Sequence, residues 1–118
     1  MDRKELRRQA RETKVEAGIY QIRNLQSGKV LVLSTRNLKT MNGKRFGLEM
    51  GGYINKQLQE DYTRLGRDAF AFEVLEVLEK PETGYFDEKD ALKKLLTKWL
   101  HQLQPYGERG YNTGMEEE

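Results

Sequence analysis

The sequence predicts an α+β domain, a small three-stranded antiparallel sheet flanked by helices. Three observations predict it. Residues 17–35, AGIYQIRNLQSGKVLVLST, read as two short strands joined by a polar turn. Residues 69–78, AFAFEVLEVL, carry the strongest strand signal in the chain, with Phe70, Phe72 and Val74 on one side and Leu75 and Val77 on the other. Residues 87–103 place Leu92, Leu95, Leu96, Trp99, Leu100 and Leu103 at the i, i+3, i+4 spacing of an amphipathic helix. A hairpin, a later strand and helices to cover them make an α+β sandwich.

Taken in order, residues 1–16 read as a charged helix or arm, in which Arg3, Arg7 and Arg11 recur at i, i+4 and repel one another. Two readings stand for it: a solvated terminal helix, or a basic arm that touches phosphates. Gly18 to Arg23 is the first strand, and Asn24 to Gly28 supplies turn residues at both ends of a reversal. Lys29 to Ser34 is apolar on both faces, which predicts cover on both sides of the sheet. Asn37 is placed to cap a short helix carrying Leu38 and Met41; Asn42-Gly43 is a turn signal that interrupts it, unless the helix bends through the pair, and Lys44 to Met50 resumes it until Gly51-Gly52. Asn55 caps a helix over 56–65 with Leu58, Tyr62 and Leu65 on one stripe, and Gly66 stops it. After a loop at Pro81–Gly84, Asp87 caps the long helix, in which Trp99 reads as a core anchor rather than a platform for a base. Pro105 ends that helix, GERGYNTG continues extended, and 113–118 is expected as an acidic disordered tail. The organisation is therefore an arm (1–16), one domain (17–112) and a tail (113–118), as the length also suggests.

Composition excludes several chemistries. There are no cysteines and a single histidine, His101, so disulfides, thiolate chemistry and Cys/His zinc sites are not expected. No apolar run reaches the ~18–20 residues of a membrane span, and no signal-peptide core follows the basic start, so the expected address is cytoplasmic. The net charge of +2 conceals an asymmetry. Residues 1–67 hold 15 Lys/Arg against 7 Asp/Glu, whereas 68–118 hold 6 against 12. A basic face for a polyanion and a basic segment lying on an acidic one both account for that distribution.

The element order, with Gly18-Ile19-Tyr20 opening the first strand, resembles the GIY-YIG nuclease superfamily, in the form of a small stand-alone member of bacterial type. Ser34 to Lys39, Asn55 to Gly66, Phe70 to Glu76 and the closing Gly110-Tyr111-Asn112 resemble the family in the same order, over roughly 17–78 and 86–112. The resemblance implies metal-assisted phosphodiester cleavage. In active members two tyrosines, an arginine, a histidine, a metal-holding glutamate and a late asparagine share the work, with the metal and the arginine meeting the charge of the transition state.

Carried onto this chain, the resemblance implies a degenerate site. Tyr20 and Asn112 are retained as the catalytic positions. The second motif reads Leu31-Val32-Leu33 in place of tyrosine, isoleucine and glycine; the arginine falls at Met41, the histidine at Tyr53 and the metal-binding glutamate at Leu96. Leu31 and Leu33 share a sheet face, and Leu96 is expected to close over it from the long helix. A hard cation has no oxygen ligand there, so no metal or other cofactor is expected; Mg²⁺ or Mn²⁺ enters only if the chain is an active, divergent nuclease. Arg45, one turn beyond Met41, and the carboxylates Glu49, Glu60, Asp61 and Glu88 are the groups available for rescue.

Three functions follow from this reading. The first is a catalytically impaired module that binds DNA through Arg36, Lys39, Lys44, Arg45, Lys56, Arg64 and Arg67, or a protein through an apolar patch. The second is an active metal-dependent endonuclease. The third is a structural or interaction scaffold that keeps only the fold. A membrane partner is not expected.

Overall fold

A computed structural model describes residues 15–81 and 84–114. The basic arm, apart from Val15 and Glu16, and the tail beyond Gly114 lie outside the described residues. Strands β1 (Gly18–Asn24), β2 (Val30–Thr35) and β3 (Phe70–Val77) form one antiparallel sheet in the order β2-β1-β3. Three helices accompany it: α1 (Met41–Glu49), α2 (Lys56–Leu65) and α3 (Glu88–Leu103).

Local chemistry sets most of the boundaries. Asn24 turns the hairpin by accepting from the N–H groups of Gln26 (2.9 Å) and Ser27 (3.1 Å) through Oδ1. Asn55 and Asp87 cap α2 and α3 by accepting from the N–H of Leu58 and Asp90, each at 3.0 Å. Gly66, at φ 87°, ends α2 in a conformation that glycine adopts without strain. Asn37 caps a single 3-10 turn, Leu38–Thr40, that runs directly into α1.

The expected break at Asn42-Gly43 does not occur: α1 continues through both residues. A glycine inside a helix costs about 1 kcal/mol. Burial of Leu48 and packing of Met41 against the core outweigh that local cost.

The sheet is covered on both faces, as the apolar β2 predicted. Tyr20, Ile22, Leu31, Leu33 and Phe70 point to one face and meet Leu48 of α1 and Leu58 and Tyr62 of α2 in the main core. Ile19 and Val32 point to the other, where α3 packs against β1 and β2 and buries Leu92. The rest of the α3 apolar stripe is only half-buried, Trp99 included, so Trp99 lies at the margin of the cover that α3 gives the sheet rather than as the core anchor its spacing suggested.

A bulge in β3 departs from simple alternation. Tyr20 pairs with Val74 and Ile19 with Glu76, leaving Leu75 as the extra residue. Beyond it the phase reverses. Glu76, which strict alternation would place on the main-core face, shares the α3 face with Ile19. There it accepts from Trp99 Nε1 and Lys98 Nζ, both at 2.8 Å.

Candidate functional site

The positions singled out in the sequence divide into two groups. Tyr20 is completely buried and its hydroxyl is closed off from solvent. Leu31 and Leu33, cross-strand neighbours of Ile22 and Tyr20, lie beside it in the main core. Met41, at the start of α1, and Tyr53, in the loop before α2, pack against the same cluster from its rim. Thus Tyr20 and Leu31 lie within the main core cluster, and Met41 and Tyr53 lie against it. Leu96 does not join them. It is half-buried on α3, which contributes no residue to this cluster and covers the opposite face. Leu31 and Leu33 are core and form no exposed apolar patch.

Asn112 meets β2 from its outer edge. Its Oδ1 accepts from the Val32 N–H at 2.8 Å and its Nδ2 donates to the Val32 carbonyl at 2.9 Å. The neighbouring backbone continues the pairing, since Tyr111 N–H donates to the Val30 carbonyl at 2.9 Å. Gly110 is what permits this approach: a Cβ there would stand 2.5 Å from the Val30 carbonyl oxygen and 2.3 Å from that of Pro105. The closing Gly-Tyr-Asn therefore behaves as a short extra strand, with Asn112 acting on backbone.

Tyr111, which the sequence analysis did not single out, is the centre of a polar network. Its hydroxyl donates to Asp61 Oδ2 at 2.7 Å and accepts from Asn24 Nδ2 at 3.0 Å. Asn55 Nδ2 donates to the Tyr111 carbonyl at 2.8 Å. Burial pushes the Tyr111 phenol up to about 12, with the Asp61 carboxylate adding to the rise and Asn24 opposing it. Burial works against the Asp61 carboxylate, yet the hydrogen bonds from Tyr111 and Arg64 and the nearby charges of Arg64 and Lys29 leave it below its usual range. The partners lie 50 and 87 positions away in sequence, so no local pattern announces them.

The family implies a divalent cation, and the donors present do not fit one. Leu31 and Leu96 offer no oxygen, and the Met41 thioether is a poor ligand for a hard ion. Among the described residues no three His, Cys, Asp or Glu side chains come together as a metal site. The candidates for rescue are engaged elsewhere: Glu49 with Tyr62 and Arg67, Asp61 with Tyr111 and Arg64, Glu88 with Lys80 at 2.6 Å and Arg36 at 3.7 Å. Glu60 is an exposed residue of α2.

The basic residues are similarly resolved. Arg36, Arg64 and Arg67 each face a carboxylate, at 3.7, 3.0 and 3.4 Å. Lys39 is exposed on the 3-10 turn. Lys44, Arg45 and Lys56 form no ion pair among the described residues. Arg45 lays its guanidinium over the Phe72 ring, 4.7 Å from the centroid. No helix among the described residues is long and apolar enough to cross a membrane.

No family model and no curated protein matches the chain. Two solved structures do. The catalytic domain of the homing endonuclease I-TevI is 30% identical, with a TM-score of 0.67 and coverage of 83% of this chain and 98% of that one. A mutant form of the catalytic domain of the intron endonuclease I-TevI is 28% identical at the same TM-score, covering 82% and 92%. Identity of that order over nearly the whole of a nuclease domain joins the strand opened by Gly18-Ile19-Tyr20 and the edge closed by Gly110-Tyr111-Asn112, and the chain belongs to the GIY-YIG nuclease superfamily.

Proposed function

We propose that this nuclease-like domain is catalytically impaired and acts as a nucleic-acid-binding or regulatory module. The observation that carries the reading is the burial of Tyr20. Tyr20 belongs to the core cluster that holds Ile22, Leu31 and Leu33, and its buried hydroxyl is out of reach of a solvent-borne phosphate. A general base must lie within hydrogen-bond reach of the proton it removes. Arginine, glutamate and second tyrosine are replaced together, and groups that act as a unit lose most of their effect when one is removed. DNA is the ligand we favour, because Lys44 and Arg45 of α1 and Lys56 of α2 form no carboxylate ion pair among the described residues.

The test is incubation of the protein with plasmid and branched DNA in Mg²⁺ or Mn²⁺, beside a binding titration across a salt series. The expected result is binding that weakens as salt rises, without cleavage. Cleavage abolished by Tyr20→Phe would establish an active divergent nuclease instead.

An interaction scaffold has an observation of its own. Phe46 of α1 and Met50, which caps the helix four residues on, are 63% and 69% exposed, and Ile54 in the following loop is 91% exposed. Sedimentation that shows a concentration-dependent oligomer, lost in Phe46→Glu, would favour that reading over DNA binding.

A further inference from the structure

A second constellation lies between α1, α2 and β3, built from residues other than the replaced catalytic positions. Arg45 and Glu49 are four residues apart on α1 and so share one flank of the helix. Arg45 is stacked on Phe72, which orients its planar guanidinium and leaves its N–H groups available for an anion. Tyr62 of α2 is held in place by burial and by its ring contact with Phe70, with centroids 5.2 Å apart. Its hydroxyl donates to Glu49 Oε1 at 3.4 Å, and Arg67 Nη1 reaches the same oxygen at 3.4 Å. Burial and the Glu49 charge raise the Tyr62 phenol, which keeps it a donor at neutral pH, while Arg45 and Arg67 are near enough to act on it in the opposite sense.

The Arg67 guanidinium and the Tyr62 hydroxyl therefore meet on one carboxylate oxygen, with Arg45 close enough to act on the same phenol, and that oxygen is loosely held. Charge-assisted contacts of this kind usually close to about 2.7–2.9 Å. The Arg67 side chain is 71% exposed, so the pair stands open to water. Glu49 is also the last residue of α1, where the negative end of the helix disfavours a carboxylate. A phosphodiester arriving from solvent is not tethered to that helix end, and its planar pairs of oxygens suit guanidinium donors.

We propose that Arg45, Arg67 and the Tyr62 hydroxyl form a notch for a nucleic-acid phosphodiester, and that Glu49 occupies it as an internal anion which the strand displaces. The inference rests on the nucleic-acid-binding reading above and adds to it a phosphate position and a built-in competitor. Removing the competitor strengthens binding. Removing a guanidinium weakens it and cancels the benefit of removing Glu49.

The experiment is fluorescence anisotropy of labelled single-stranded and duplex oligonucleotides titrated with the full chain over a salt series. The variants are Glu49→Gln, Arg67→Gln, the double variant, and Glu60→Gln, which makes the same charge change at an exposed position of α2. Glu49→Gln is expected to tighten binding about threefold to fivefold, the scale of a partly exposed charge pair. Glu60→Gln is expected to tighten it less. Arg67→Gln should weaken binding and lower the salt slope by about 0.7–0.9, the value of one lost phosphate contact, and the double variant should show no gain over Arg67→Gln. If the wild type binds but Glu49→Gln does no more than Glu60→Gln, or if its gain persists in the double variant, the notch is refuted and the binding reading stands. If neither the wild type nor Glu49→Gln binds either oligonucleotide at low salt, both fall.

Discussion

The side chain of Asn112 acts on Val32 as a strand would, giving and taking one hydrogen bond each with its backbone at 2.9 and 2.8 Å. Val32 is fully buried, so both backbone groups lose their only partner on that edge if the amide is removed. Each orphaned group costs about 1–3 kcal/mol. Asn112→Ala is therefore expected to lower the free energy of unfolding by about 3 kcal/mol in a denaturant titration. Asn112→Asp keeps the acceptor but sets a carboxylate against the Val32 carbonyl. It should be strongly destabilised at neutral pH and partly recovered when acid protonates the new side chain.

Gly18 and Gly43 test opposite properties of glycine. A Cβ on Gly18 would lie 2.3 Å from the Glu76 carbonyl oxygen and 3.1 Å from the Val77 Cα, both backbone atoms beside the bulge. Neither yields as a flexible side chain does, so Gly18→Ala is expected to cost about 3 kcal/mol, at the upper end of overpacking. A Cβ on Gly43 meets nothing within 4 Å and the residue is inside α1. Gly43→Ala should stabilise by about 1 kcal/mol. Thermal unfolding of the two variants reads both signs.

The Tyr111 hydroxyl predicts how stability responds to alkali. Its folded value of about 12 lies above the ordinary value of 10.0. A raised value stabilises the neutral form in the folded state, so the contribution is complete below pH 10 and is lost as pH rises through about 12. A rise of that size corresponds to about 3 kcal/mol. Wild-type stability should therefore fall more steeply than that of Tyr111→Phe across this range. Asp61 works at the other end. Its depressed carboxyl stabilises above the ordinary range and loses that contribution as pH falls through the folded value.

The parts of the fold legible in the sequence were those settled by near neighbours. Asn55, Asp87 and Gly66 act within four residues of themselves, and the hairpin reverses at Asn24 through contacts two and three residues away. The Asn42-Gly43 break failed because a buried Leu48 five positions on decides whether α1 continues. The bulge at Leu75 was hidden for a different reason. AFAFEVLEV alternates well enough to suggest one phase throughout, and only pairing with β1 shows where the phase reverses. The family resemblance singled out Tyr20, Leu31, Met41 and Tyr53, which lie in or against the main core cluster. It did not single out the Tyr111 network or the Glu49 cluster, since each joins residues from separate elements through polar contacts that leave no periodic trace.

Glu76 and Trp99 offer a direct optical test of the reversed phase. Trp99 is the single tryptophan of the chain, and its indole Nε1 donates to Glu76 Oε1 at 2.8 Å. The Lys98 hydrogen bond, followed by that of Trp99, holds the Glu76 carboxyl below its ordinary value of 4.5. The carboxylate form is favoured in the folded state, so the contact is complete at neutral pH and is lost only as pH falls through the depressed folded value. Trp99 emission should then change with a midpoint below 4.5 while far-UV circular dichroism still reports a folded protein. Glu76→Gln should abolish that acid transition, because no titrating group remains against the indole. If Glu76 instead followed simple alternation, it would face α1 and α2, and neither acid nor the substitution would move the emission of a tryptophan on α3.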